Sequence, residues 1–194
     1  MRLQDGLSGV RLVRPSLEFL PAYKAALERG WSADNVRGSA AAEEELARIA
    51  ADPAAFVASL EHLEPSGETI TLPDGAKAPR LPGYRRWIWD GEFCGSIGFR
   101  WQPGTAELPS YVLGHIGYAV VPWKEGRGCA KAALALVLED ARARGLPWVE
   151  LTTTPDNIPS QRVIEANGGV LVGQFDKSPH YGGGPALRWR VDLT

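Results

Sequence analysis

The sequence is poor in the residues that staple or metallate a small domain. Two cysteines, Cys94 and Cys129, among 194 residues cannot frame a disulfide scaffold. A reducing cytoplasm is therefore the expected compartment. Three histidines, His62, His115 and His180, are scattered, and no His/Cys group has zinc spacing. No structural or catalytic metal is expected. An excess of one charge is also missing: 21 Lys and Arg stand against 23 Asp and Glu, for a net charge of −2. The longest basic run is Arg85-Arg86, so nucleic acid is not an expected partner. No apolar stretch reaches membrane-spanning length. The opening residues, MRLQDGLSGVRL, carry early charges with no apolar run behind them, unlike a secretion signal. No membrane partner is expected.

What is present suits one globular domain over residues 1–194, with 44% hydrophobic residues for a sizeable core. Residues 1–7 read as a frayed end and 10–13 as a short strand. Pro15 and Ser16 open a helix on which Leu17, Leu20, Tyr23, Ala26 and Leu27 recur at helical spacing, and Gly30 ends it. A second helix spans 39–51, with Leu46 and Ile49 inward and 43–45 solvated. Pro53 starts a third, with Phe56, Val57 and Leu60 inward. Residues 64–83 hold four prolines and three glycines. They read as a loop with room for a strand at 69–72, either a binding loop or an idle insertion.

Then the pattern turns to β. Strands at 84–89 and 92–101 flank the hairpin turn Asp90-Gly91. Trp87 and Trp89 share a strand face and read as core. Residues 115–121 form the next strand and 130–144 a long helix, capped by Gly145 and stopped by Pro147. A strand at 148–154, a short helix at 159–166 and strands at 170–176 and 185–193 complete the chain. The order predicts an α+β (mixed α/β) fold: a mixed, mostly antiparallel sheet flanked by helices. Strands 115–121 and 148–154 should lie parallel across a crossover.

One stretch carries a chemical signal. In GYAVVPWKEGRGCAK (117–131) a strand is stopped by Pro122, Gly126 and Gly128 follow, and a helix begins. Glycines let backbone approach a ligand. The first N–H groups of the helix have no partner within it, and the dipole favours an anion there. Arg127 and Lys131 add positive charge. Neither GxGxxG nor the P-loop ending is present, and a plain turn is the alternative.

These residues resemble the acetyl-CoA motif Q/R-x-x-G-x-G/A of the GNAT superfamily of N-acetyltransferases, here Glu125-Gly126-Arg127-Gly128-Cys129-Ala130. A second stretch, LTTTPDNIPS (151–160), is similar to the family's later motif, with Asn157 and Ser160 at places that lie beside the pantetheine. The resemblance covers residues 84–176, the expected acetyl-CoA-binding core. It leaves 14–83, with 177–185, as the acceptor side. It implies acetyl-CoA as cosubstrate and direct attack of a primary amine on the thioester. The acceptor would be a small-molecule or peptide amine. A homodimer through the C-terminal strands is common in such proteins. It also implies that strands 115–121 and 148–154 splay apart where the helix begins, with the pantetheine arm in the V. The implied contacts are the backbone of Val120 and Val121 for pantetheine, and the N–H groups of Arg127, Gly128, Cys129 and Ala130 for pyrophosphate. Three places depart from the family: Glu125 replaces Q/R, Ile164 stands where a general-acid tyrosine is frequent, and Ala166 where a lysine is.

His115 is the expected base, because imidazole titrates near neutrality and histone-type members carry a catalytic Glu on this strand. The alternative is a core histidine bonded to backbone. Glu150 is a second candidate, sharing a strand face with Trp148 and Thr152. Tyr118, Tyr181 or a water is a candidate proton donor in place of the missing tyrosine, unless the thiolate leaves unaided. Asn157 suits a ligand role, with a helix cap as the alternative. Cys129 reads as small-residue packing rather than a nucleophile. Arg100 suits either an acceptor carboxylate or a surface ion pair. A catalytically weak acyl-CoA-binding or sensing module of the same fold is the rival function.

Overall fold

The computed structural model describes residues 9–72 and 75–194. The expected frayed end at 1–7 lies outside them. The chain runs β1 (Arg11–Val13), α1 (Leu20–Glu28), α2 (Ser39–Ala51), α3 (Pro53–Ala58), β2 (Glu61–His62), β3 (Thr69–Thr71) and β4 (Lys77–Pro79). It continues with β5 (Gly83–Trp89), β6 (Phe93–Arg100), β7 (Ile116–Val120), α4 (Cys129–Ala143), β8 (Trp148–Thr153), α5 (Ile158–Glu165), β9 (Gly169–Asp176) and β10 (Pro185–Asp192). No helix among the described residues is long and apolar enough to cross a membrane.

Helix α1 begins later than expected. Residues 17–19 form a turn, Leu17 is exposed, and the helix starts at Leu20, with Pro21 in its first turn where a missing N–H costs nothing. The Pro- and Gly-rich loop contains a small hairpin: β3 falls where room for a strand was read, and β4 is the partner that its composition concealed. Asp52 accepts from the Ala55 N–H and caps α3.

The strands form two antiparallel sheets. One has the order β1-β5-β6-β7, with β2 also on β5, and the other β8-β10-β9. The expected parallel pairing of β7 and β8 shrinks to one backbone bond, His115 N–H to Glu150 O at 2.8 Å. Beyond that point the strands part. Gly114 allows the contact, since a Cβ there would stand 3.0 Å from Glu150 O.

Core lies on both faces. On one, α4 sends Ala133, Leu134, Val137 and Leu138 against Ile97, Phe99 and Ile116 of the first sheet, and Val149 and Leu151 of β8. Ile164 of α5 is buried in the same cluster. On the other face, α1 to α3 cover Trp87, Phe93 and Val121. Tyr23 stacks on Trp87, with centroids 4.8 Å apart. Trp87 is wholly buried, whereas Trp89 is half-buried against Phe19. Strand β9 is the outer edge of its sheet, and Val170, Leu171 and Val172 are exposed along it.

Candidate active site

The site is built where β7 and β8 part. At the far end of β7, Pro122 ends the strand and a short turn leads to α4. Gly126 and Gly128 have φ of 72° and 79°, a region side chains disfavour, and open space surrounds both. The first bond into α4 runs from the Ala132 N–H to Gly128 O. Among the described residues nothing accepts from the N–H groups of Arg127, Gly128, Cys129 and Ala130. The four expected pyrophosphate contacts therefore converge as free donors at a helix start. Arg127 and Lys131 are exposed beside them, and Glu125 is exposed too.

Of the two expected pantetheine contacts, Val121 is corrected. Its N–H donates to Cys94 O at 2.9 Å, back into the sheet. Backbone groups alternate along an antiparallel strand, so Val120 and Tyr118 turn theirs toward the opening. The Val120 carbonyl accepts from the Trp31 indole N–H at 3.2 Å.

On the opposite wall, Asn157 caps α5, accepting from the Ser160 N–H at 3.2 Å. Ser160 offers its carbonyl to the Tyr118 hydroxyl at 3.2 Å. Tyr118 thus bridges the opening from β7 to α5. Burial pushes its phenol up to about 12, and the hydroxyl keeps its proton. Ile164 fills the core where a tyrosine was absent.

His115 sits at the vertex, wholly buried. Its Nδ1 accepts from the Glu150 N–H at 2.9 Å, which leaves Nε2–H to donate to Ala106 O at 3.1 Å. The ring meets Trp148 edge-on at 5.6 Å. Burial pushes its pKa down to about 4. Both nitrogens are used, so the sole lone pair of the neutral ring is not open to an amine. Glu150 shares its strand face with Trp148 and Thr152, as alternation requires. Its carboxylate meets Arg190 at 2.8 Å and Arg188 at 3.7 Å.

Sequence spacing missed one constellation. Asp90, Cys94 and Cys129 bring their ligand-type atoms within 4.8 Å of one another. They converge only because the hairpin turn folds against the start of α4. Lys124, nearly buried, caps the group, reaching Asp90 at 2.9 Å and Glu92 at 2.9 Å. The carboxylates hold the ammonium well above its usual range. Burial and the neighbouring Cys129 push the Cys94 thiol up to about 12. Cys94 is thus a thiol packed under the turn, not an activated nucleophile, and Cys129 is buried beside it. Also unread was a network of Tyr23, Glu45 and Arg85, in which Arg85 reaches Glu45 at 2.9 Å and the Tyr23 hydroxyl at 3.1 Å. It ties α1 and α2 to β5.

A search of curated proteins finds no match to this sequence. Solved structures match over nearly the whole chain. One is a Salmonella typhimurium acetyl transferase that modifies the N-terminal serine of ribosomal protein L7/L12: 14% identical, TM-score 0.64, covering 96% of each chain. Another is Mycobacterium smegmatis RimJ in complex with CoA-disulfide: 20% identical, TM-score 0.57, covering 94% of this chain and 81% of that one. A third is the microcin C7 self-immunity acetyltransferase MccE with acetyl-CoA and AMP: 11% identical, TM-score 0.56, covering 95% of this chain and 93% of that one. At these identities the likeness is one of fold, and it bears out the mixed sheet flanked by helices. A family model described as an acetyltransferase (GNAT) domain matches residues 36–170, more than half of the chain. The protein belongs to the GNAT acetyltransferase family and is an acyltransferase.

Proposed function

We propose that the protein moves an acetyl group from acetyl-CoA to a primary amine by direct attack of the amine on the thioester. The observation that carries this reading is the opening between β7 and β8, with four free N–H donors at its end. In this reading the pyrophosphate lies on the N–H groups of Arg127 to Ala130, with Arg127 and Lys131 adding charge. The pantetheine arm runs beside β7 like an added strand and bonds the backbone of Tyr118 and Val120. Asn157 and Ser160 form the far wall. Residues 84–176 hold the cosubstrate, and 14–83 with 177–185 shape the acceptor side.

The amine nitrogen bonds to the acetyl carbon, the C–S bond breaks, and the sulfur leaves with the electron pair. Tyr118, protonated and facing the opening, gives its proton to that sulfur. The ammonium proton goes to water, and Tyr118 regains a proton from water before the next turnover. His115 and Glu150 serve as positioning groups: one has no free lone pair, and the other is held by two arginines. Likeness to an enzyme that modifies an N-terminal serine makes peptide N-termini the first acceptors to test. That neither His115 nor Glu150 is free to take a proton favours the rival reading, an acyl-CoA-binding module with little turnover.

The test has two stages. Acetyl-CoA at about a hundredfold excess over Kd should add about 2.7 kcal/mol of stability in a thermal-shift titration, and NAD⁺ should add none. No shift with acetyl-CoA would overturn the reading. CoA release on adding amines then separates enzyme from sensor.

Tyr118→Phe should lower kcat by about a hundredfold, since a positioned general acid contributes about that much. Acetyl-CoA affinity should stay within about twofold, and the lost bond to Ser160 should cost about 1 kcal/mol of stability. An unchanged kcat would remove Tyr118 from the chemistry.

A further inference from the structure

A second opening lies on the α1–α3 side of the first sheet, with a volume of about 310 Å³. Its floor is bare backbone. Gly98 of β6 pairs with Arg85 of β5 and with Gly117 of β7, and a Cβ on Gly117 would meet nothing within 4 Å. The next row on the same face is Trp87, Ser96 and Ala119. Trp87 and Ser96 of that row are buried, whereas Gly117 is exposed and Ala119 half-buried, so open backbone continues from the groove along β7 toward the proposed acetyl-CoA opening. Its rim is tied down, because the Tyr181 hydroxyl donates to Tyr111 O at 2.6 Å and the Tyr111 hydroxyl to Pro79 O at 2.8 Å.

Three guanidiniums line this groove, Arg80, Arg85 and Arg100. Two are satisfied by the chain itself. Arg80 meets Glu68 at 3.0 Å and Ser59 O at 3.2 Å, and Arg85 meets Glu45 at 2.9 Å. Arg100 makes no side-chain hydrogen bond or ion pair with any described residue. Three cations against two carboxylates leave one positive charge over. Arg100 is reached by solvent, yet the groove walls and the nearby charge of Arg85 both lower its pKa. Arginine stays charged even so, and its planar fork fits a carboxylate with two parallel bonds. A lone arginine on an open surface would call for no partner. Here the chain gives an acid to each of the other cations and none to this one.

Spacing narrows the partner. In the reading above the thioester lies level with Ala119, between the backbone of Tyr118 and Val120. Ser96, which pairs with Ala119, marks that level on β6, four residues from Arg100, about 13 Å of strand. Even with the reach of the arginine, that span exceeds the gap between the amine and the carboxylate of one amino acid. It suits an acidic side chain one or two residues further along an extended peptide, at about 3.5 Å per residue.

Resting on the acetyl-transfer reading above, we propose that the acceptor is a peptide N-terminus with Asp or Glu at its second or third position, and that Arg100 binds that carboxylate. The test uses the whole chain, acetyl-CoA and C-terminally amidated peptides beginning Ser-Asp-Ala or Ser-Ala-Asp, each against its Asn counterpart. CoA release gives kcat/KM. The Asp-to-Asn ratio should be about tenfold or more, as for a charge-assisted pair, and fall close to one in Arg100→Gln. Arg142→Gln, an exposed change on α4, should keep the ratio. An acetyl-CoA thermal shift in each variant confirms folding. A ratio near one in the unaltered protein would overturn the proposal, and so would a ratio that survives Arg100→Gln. Absence of turnover with every peptide, alongside a normal acetyl-CoA shift, would overturn it while leaving the cosubstrate assignment standing. Loss of that shift would overturn the acetyl-transfer reading as well.

Discussion

Gly128→Val is expected to weaken acetyl-CoA binding by more than about a hundredfold, a loss of about 2.7 kcal/mol. The residue caps α4 at φ 79°, between two of the four free N–H donors. A branched side chain there would project into the space the pyrophosphate needs, and its preferred backbone would turn the donors out of line. Stability should suffer less, by about 1–2 kcal/mol, the cost of a left-handed conformation for a residue with a Cβ. Gly104 supplies the control. It has the same φ of 79° and the same open surroundings, but it lies in the loop after β6. Gly104→Val should lose similar stability and keep its affinity. Calorimetry with acetyl-CoA on both variants decides the matter. Equal affinities would place the pyrophosphate elsewhere.

The second large effect concerns His115. His115→Ala should lower stability by about 3 kcal/mol or more, because it strands the Glu150 N–H and the Ala106 carbonyl in the core and leaves a void. The effect should depend on pH in a defined direction. Folding drops the histidine pKa from 6.5 to about 4, so the unfolded chain binds the proton more readily. Its stabilising contribution is then complete above about pH 6.5 and fades as pH falls toward 4, by about 3 kcal/mol in all at about 1.4 kcal/mol per pH unit. Urea unfolding at about pH 7 and about pH 4.5 should show the gap between the two proteins narrowing in acid. A constant gap would mean that the buried ring titrates normally. The kcat/KM–pH profile should show no ionisation that disappears with the histidine.

The sequence was legible where glycine and proline punctuate it. Helix α4 lies where Gly128 and Gly145 bracket it, and the hairpin of β5 and β6 turns at Asp90-Gly91 as its chemistry demands. The glycine turn at Gly126 and Gly128 was readable for the same reason, since local backbone chemistry decides it. What failed depends on contacts across the chain. Strands β7 and β8 read locally as paired parallel neighbours, and only the family resemblance implied that they part, as they do after a single bond. The imidazole of His115 has one character in water and another between two backbone groups. Type and position left a base and a core histidine bonded to backbone both open, and only tertiary contacts supply the backbone bonds of the second. Strand β4 reads Lys-Ala-Pro, which no propensity marks as a strand, and forms because β3 pairs with it. The grouping of Asp90, Cys94, Cys129 and Lys124 is a product of tertiary folding alone.

The outer strand β9 has a consequence for the protein as a material. Its sequence, GVLVGQFD, has no lysine, arginine or proline to discourage a neighbour, and three large apolar residues point to water from both of its sides. A net charge of −2 offers little mutual repulsion. Unpaired backbone and exposed apolar side chains coincide along this edge, the combination that favours edge-to-edge association as concentration rises.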